Sequence, residues 1–135
     1  MQREGGEMRD YQPQKNNPWH LPKHLYKQTL CLIRDYNRLK EDYEDAILES
    51  HTAEGGIGGG APGDPTGALA SKIENMHDRL KAVEKAKKEI PEEYQAGVWQ
   101  NIIYDARYPD DADRRTYGRW KARFVYHVAR NMGWI

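Results

Sequence analysis

Apolar side chains recur along this chain at three- and four-residue steps, and no segment shows the alternation of a strand. From Leu21 to Ser50 the chain reads LPKHLYKQTLCLIRDYNRLKEDYEDAILES, with Pro22 as its one proline and no glycine. Tyr26, Thr29, Ile33, Tyr36, Lys40, Tyr43 and Ile47 follow helical spacing, and Leu30 and Leu48 widen the stripe. Pro22 sits where a first turn tolerates it. The pattern predicts one amphipathic helix of roughly 28 residues, or ~42 Å. Cys31 lies among apolar neighbours in it, which predicts a buried structural thiol.

A second stripe is formed by Leu69, Ile73, Met76, Leu80, Val83 and Ile90, a heptad seam interrupted by Lys87. It predicts a helix starting near Pro65–Thr66, with Asp64 as N-cap. Between the two stripes HTAEGGIGGGAPGD, residues 51–64, holds six glycines and reads as a flexible linker. Two long helices joined by a slack loop fold back most simply as an antiparallel hairpin, and two such stripes also suit a homodimer.

Pro91 opens a third helix, PEEYQAGVWQNIIYDAR, with Glu92 and Glu93 at the positive end of its dipole. Tyr94, Val98, Trp99, Ile102 and Ile103 cover about half its circumference, which predicts packing on two sides. After Tyr108–Pro109 and DDAD, a fourth helix is expected from about Thr116 to Asn131. Residues 99–135 hold eight of the fourteen aromatics, enough bulk to bury a core in a small unit. Residues 1–21 lack a hydrophobic period and read as a flexible arm, partly docked by Trp19. The expected fold is all-α: an arm (1–21), a helical hairpin (22–90) and a C-terminal unit (91–135).

Composition narrows the class. The chain is 38 % hydrophobic and 31 % charged, with a formal net charge of +0, so only a local patch could attract a charged partner. No apolar run approaches the ~20 residues of a membrane span, and MQREGGEMRDY lacks a signal-peptide core, so a cytoplasmic protein is expected. A single cysteine excludes an internal disulfide and a cysteine-based zinc site.

The most informative feature is the last helix. On a wheel, Tyr117, Trp120, Phe124, Val128 and Met132 fall on one side, with Val125 at its edge. Arg115, Arg119, Arg123, Tyr126 and Arg130 fall within about 80° on the other, at 100° per residue. From Arg114 onward there are six Lys or Arg residues and no acid. Guanidinium forks suit phosphate and guanine, so this face has the form of a DNA-contacting helix. The same pattern also describes a solvated helix face, whose arginines could be removed at almost no cost in stability. Residues 41–54 carry six acids and no Lys or Arg. That split orients an approach to DNA, matches hairpin to C-terminal unit, or serves self-association.

Signals of catalysis are weak. His20 and His24 are separated by Pro22, and no carboxylate follows at metal-protease spacing. The glycines at 55–60 lack the Lys-Ser/Thr ending of a phosphate loop. Neither an enzyme, a metal nor another cofactor is expected.

The stretches LPKHLYKQTLCLIRDYNRLKEDYEDAILES, GDPTG, IPEEYQAGVWQNIIYDARYPDDADRRTYGRWKARF and VYHVARNMGWI resemble short proteins of prophages and conjugative elements of Gram-positive bacteria. In layout the chain is also similar to the RinA and ArpU phage transcriptional activators. The resemblance implies a sigma-factor-like helix-turn-helix, with residues 91–106 as supporting helix. The recognition helix would run from Thr116 and Tyr117 through Arg119, Lys121 and Arg123. Only Asp113, Arg114 and Arg115 separate Ala112 from Thr116, so the motif is a shortened one. Two functions follow as expectations. The first is a transcriptional regulator that docks its 116–131 helix on double-stranded DNA, its hairpin dimerising or touching RNA polymerase. The second is a non-enzymatic adaptor whose arginines meet an acidic protein surface.

Overall fold

The computed structural model describes residues 12–13, 16–55 and 64–135. Within them the chain is all-helical: α1 (Lys23–Arg34), α2 (Tyr36–Gly55), α3 (Asp64–Lys87), α4 (Glu92–Tyr104) and α5 (Arg114–Asn131). The expected linker falls mostly on residues 56–63, outside the described residues, and 51–55 belong to α2. The cap expected of Asp64 also lies outside the described side chains.

The single helix expected over Pro22–Ser50 is two, parted at Asp35. Asp35 still donates its amide to the Cys31 carbonyl (3.1 Å), and Leu39 donates to the Asp35 carbonyl (2.9 Å), so the ladder bends without being lost. A short acidic side chain favours the position ahead of a helix over its interior. Here that carboxylate pairs with Arg38, whose hydrogen bond holds it below the usual carboxylate range. The break shifts the buried face. Tyr26, Thr29, Leu30 and Ile33 are buried as the stripe predicts, but beyond Asp35 the buried positions are Leu39 and Ala46. Lys40 is exposed, Tyr43 and Ile47 are half-buried, and Leu48 is 66 % exposed. Cys31 is exposed, not buried: its neighbours Leu30 and Leu32 take the inward positions.

α2 and α3 are antiparallel neighbours. The Tyr36 hydroxyl donates to Glu84 Oε2 at 2.7 Å, and Tyr43 lies beside His77 with ring centroids 6.1 Å apart, so earlier positions on α2 meet later ones on α3. Met76, Leu80, Val83 and Ile90 of the heptad seam are buried within the chain, and Leu69 and Ile73 are half-buried. Lys87, the seam's exception, sets its ammonium 4.4 Å from the centroid of the Trp99 ring, a cation–π contact in place of an aliphatic one.

α5 is the central element and packs against α1, α3 and α4. Phe124, Val125, Val128 and Ala129 are fully buried there with Leu30, Ile33, Val83, Val98 and Ile102, so segments 22–90 and 91–135 contribute to the same core cluster. Polar ties fix the helices lengthwise: Arg34 Nε donates to the Ile102 carbonyl (3.0 Å), and Asn131 Nδ2 to that of Ala82 (3.0 Å).

The join between α4 and α5 depends on Tyr117. Its ring is buried, stacks on Tyr108 (5.0 Å, 11°) and meets Tyr94 edge-on (5.3 Å), while its hydroxyl donates to Asp111 Oδ1 at 2.7 Å. Room for the ring comes from Gly97 on α4. A Cβ there would lie 2.5 Å from Tyr117 Cε1 and 2.9 Å from Pro109 Cδ. That site predicts the reverse of helix propensity. Alanine normally stabilises a helix interior by up to ~1 kcal/mol over glycine, and Gly67→Ala, whose Cβ meets nothing within 4 Å, should show that gain. Gly97→Ala should instead cost roughly 1–3 kcal/mol through overpacking. Thermal melts of the two variants decide; a raised Tm for Gly97→Ala contradicts the packing described.

The Asp111 bond also pushes the Tyr117 phenol up to about 12. Because the folded value is the higher, the bond's contribution is complete below the unfolded value of ~10 and is lost as pH rises through the folded one. Urea titrations of wild type and Tyr117→Phe at pH 8, 10 and 12 should show a stability gap that is constant to pH 10 and then narrows. A gap independent of pH contradicts the assignment.

Candidate nucleic-acid interface

Burial on α5 decides which of its charges can meet a partner. Asp113 caps the helix, its Oδ1 accepting from the Arg115 amide at 3.1 Å, so the helix starts at Arg114, two residues earlier than expected. Tyr117, Lys121, Phe124, Val125 and Val128, with Ala122 and Ala129, are buried and span about 160° at 100° per residue. The small side chains Ala122 and Ala129 extend the buried face beyond the aromatic stripe.

The five arginine-face residues therefore separate. Arg115, Arg119 and Arg130 are exposed; Arg123 and Tyr126 are half-buried. Arg123 lies between two indoles, its guanidinium carbon 4.8 Å from the Trp19 centroid and 5.3 Å from that of Trp120. Its Nε is buried and has no hydrogen-bond partner among the described residues. Tyr126 meets the same Trp19 edge-on at 5.1 Å, and His127 lies 5.4 Å from it. Burial holds the His127 imidazole below its ordinary value. The expectation that Arg123 belongs to a free face is corrected: it is half-buried and in contact with two tryptophan rings.

Trp19 is held there by the segment that precedes α1. Gln12 brackets Leu21, donating from Nε2 to its carbonyl (2.6 Å) and accepting at Oε1 from its amide (3.1 Å). Asn17 Oδ1 accepts from the Trp19 amide at 3.0 Å, and Asn17 Nδ2 donates to the Pro13 carbonyl at 2.6 Å. Leu21 is 1 % exposed. The arm expected over 1–21 with partial docking by Trp19 is docked at that residue, and also packed at Gln12 and Leu21, while residues 1–11 and 14–15 lie outside the described residues.

Lys121, placed by the family resemblance on the DNA-reading face, is 4 % exposed and donates to Asn101 Oδ1 at 2.9 Å. Asn101 Nδ2 in turn donates to the Ala106 carbonyl at 2.9 Å, which anchors the start of the 105–113 loop. Asp105 turns the chain there in the left-handed region (φ 57), which Asp tolerates better than most residues. Among the described residues no helix intervenes between α4 and α5. The loop carries Arg107 and delivers Arg114 beside Arg115. Burial pushes the phenol of Tyr108, on the same loop, up to about 12.

Arg107, Arg114, Arg115 and Arg119 line a cleft of 1410 Å³ between this loop, the first turns of α5, Pro13 and residues 16–19. All four are exposed, as is Arg130 further along α5, and among the described residues none of the five forms a salt bridge. The acidic residues of α2 lie on a helix whose main packing partner is α3. Arg107 and the buried role of Lys121 were not singled out from the sequence, and Trp19 was expected to dock the arm but not against Arg123. Lys121 falls between Val128 and Met132 on the wheel, at 100° per residue, which signals burial; Trp19 carries no local signal of its partners.

Comparisons with protein-family models, with curated proteins and with solved structures give no match. No described helix is long and apolar enough to cross a membrane.

The split among the arginines is measurable as stability. Arg119→Ala should change it by no more than about 0.5 kcal/mol, as for other exposed charges. Arg123→Ala should cost roughly 1–3 kcal/mol, from two cation–π contacts and the stem packed between the rings. Equal melting temperatures for the two variants would show that the tryptophan sandwich contributes nothing.

Proposed function

We propose that this chain is a DNA-binding regulator of the phage or mobile-element kind, gripping the phosphate backbone of duplex DNA with Arg115, Arg119 and Arg130 on α5. Arg107 and Arg114 extend the same basic surface. The observation that carries the reading is that five exposed guanidinium groups on one side of a net-neutral protein have no salt-bridge partner among the described residues. An internal electrostatic match would have consumed them.

Contact with phosphate is favoured over deep insertion of α5 into a groove. Three helices pack around α5, and Trp19 covers the middle of its remaining strip at Arg123 and Tyr126. What stays open is an arginine cluster at the start of the helix and Arg130 roughly 16 Å further along, at 1.5 Å per residue. Such contacts give affinity and register, whereas base-edge contacts give sequence preference. A homodimer through the hairpin would cover Leu48 and the half-buried Leu69 and Ile73.

Fluorescence-anisotropy titrations of a duplex at several salt concentrations test this. Affinity should fall steeply with salt, with a log–log slope near -0.9 per phosphate neutralised, and Arg115→Ala/Arg119→Ala should make it shallower by about two such contacts. Superimposable curves for wild type and the double variant would leave the arginines as a solvated surface. Absence of any duplex affinity at low salt would favour the protein-adaptor reading.

A further inference from the structure

Gly118 has no packing reason to be glycine. A glycine inside a helix is less stable than alanine by up to ~1 kcal/mol. At Gly97 that loss makes room for Tyr117, but at Gly118 a Cβ would meet nothing within 4 Å, and the backbone does not take a positive φ. Gly118 lines the 1410 Å³ cleft, so the space left by its missing side chain opens onto the cleft rather than onto the core. Arg114, Arg115 and Arg119 flank it in sequence and line the same cleft, as does Arg107 from the 105–113 loop.

The cleft's other wall is aromatic and firmly built. Trp19 lines it, held by the Asn17 turn and braced by Arg123 and Tyr126, and Tyr108 adds a second ring stacked on the buried Tyr117. Asp110 and Asp113 also line it, but one oxygen of Asp113 already accepts from the Arg115 amide, and four guanidinium groups outnumber the two carboxylates. The cleft exceeds the roughly 300–1,000 Å³ of small-molecule pockets, far more than an inorganic anion needs.

We infer that this cleft binds a nucleoside phosphate, its phosphate on the forks of Arg114, Arg115 and Arg119 where Gly118 lets it approach the helix, and its base against Trp19. Guanidinium groups bond phosphate oxygens in pairs, and indole rings stack on any base. The chemistry is shared by a free nucleotide and by one nucleotide of a single strand. The inference goes beyond duplex binding and does not require it.

Calorimetric titration of the full chain with ATP and with a ten-residue oligothymidylate separates the sources. Binding of ATP alone supports a small effector; binding of the oligonucleotide, with or without ATP, supports a strand. In either case Gly118→Ala should raise Tm yet weaken binding several-fold, while Gly67→Ala raises Tm and leaves binding unchanged. Arg114→Ala/Arg115→Ala should bind at least about tenfold more weakly at unchanged Tm, the loss expected for charge-assisted bonds to phosphate. The inference is overturned if neither probe binds, or if Gly118→Ala binds them as wild type does. A duplex titrated in parallel keeps the two readings apart. Duplex binding without either probe overturns only the cleft, and probe binding without duplex affinity overturns only the DNA reading.

Discussion

The seating of one ring, Tyr117, sets the geometry of the join between α4 and α5 and of the candidate site built on it. Gly97 lets α4 approach it, Tyr94 and Tyr108 enclose it, and Asp111 holds its hydroxyl. A side chain at position 97 would push α4 and Pro109 away from α5. The loop between them carries Arg107 and ends in the Asp113 cap that places Arg114 and Arg115. The Lys121–Asn101–Ala106 chain of hydrogen bonds secures the loop's other end with a buried ammonium, whose desolvation is tolerable only because it is bonded. A loop tied down at both ends brings Arg107, Arg114 and Arg115 to one cleft without a second helix beneath them.

The arginine face is consequently divided by role. Arg123 is spent on structure: flanked by Trp19 and Trp120, it joins the segment before α1 to the middle of α5. Arg115 and Arg119 remain in solvent one turn apart, and Arg130 lies beyond the tryptophan. The same tryptophan that withdraws Arg123 from the open face forms a wall of the cleft over Gly118. Position on a helical wheel groups these arginines together; tertiary packing separates them.

Helix type and period were legible in the residues, since the apolar steps of Leu69–Val83 and of Tyr94–Ile103 match helices α3 and α4, with Ile90 in the turn between them. Other features were not. The bend at Asp35 lay inside a stripe that reads as continuous, because one residue of altered geometry barely disturbs a three-four pattern. Cys31 looks apolar by its neighbours, yet Leu30 and Leu32 occupy the inward arc. The wheel of α5 was centred on its aromatics; Ala122 and Ala129 widen the buried arc, and Lys121, between Val128 and Met132, lies inside it although its charge suggests exposure. The covering of Arg123 by Trp19 could not be read at all, since the two lie far apart in sequence and neither position is periodic with the other.

Chemical labelling of arginine separates the structural role of Arg123 from the proposed phosphate contacts of Arg115 and Arg119 in one experiment. The protein is treated with phenylglyoxal, alone and with excess duplex DNA, and modification at each arginine is followed by peptide mass spectrometry. The account predicts rapid labelling of Arg115 and Arg119 in the free protein, slow labelling of Arg123, and marked protection of Arg115 and Arg119 once DNA is added. Labelling of Arg123 as fast as Arg115 in the free protein, or of Arg115 and Arg119 at unchanged rates with DNA bound, would contradict it.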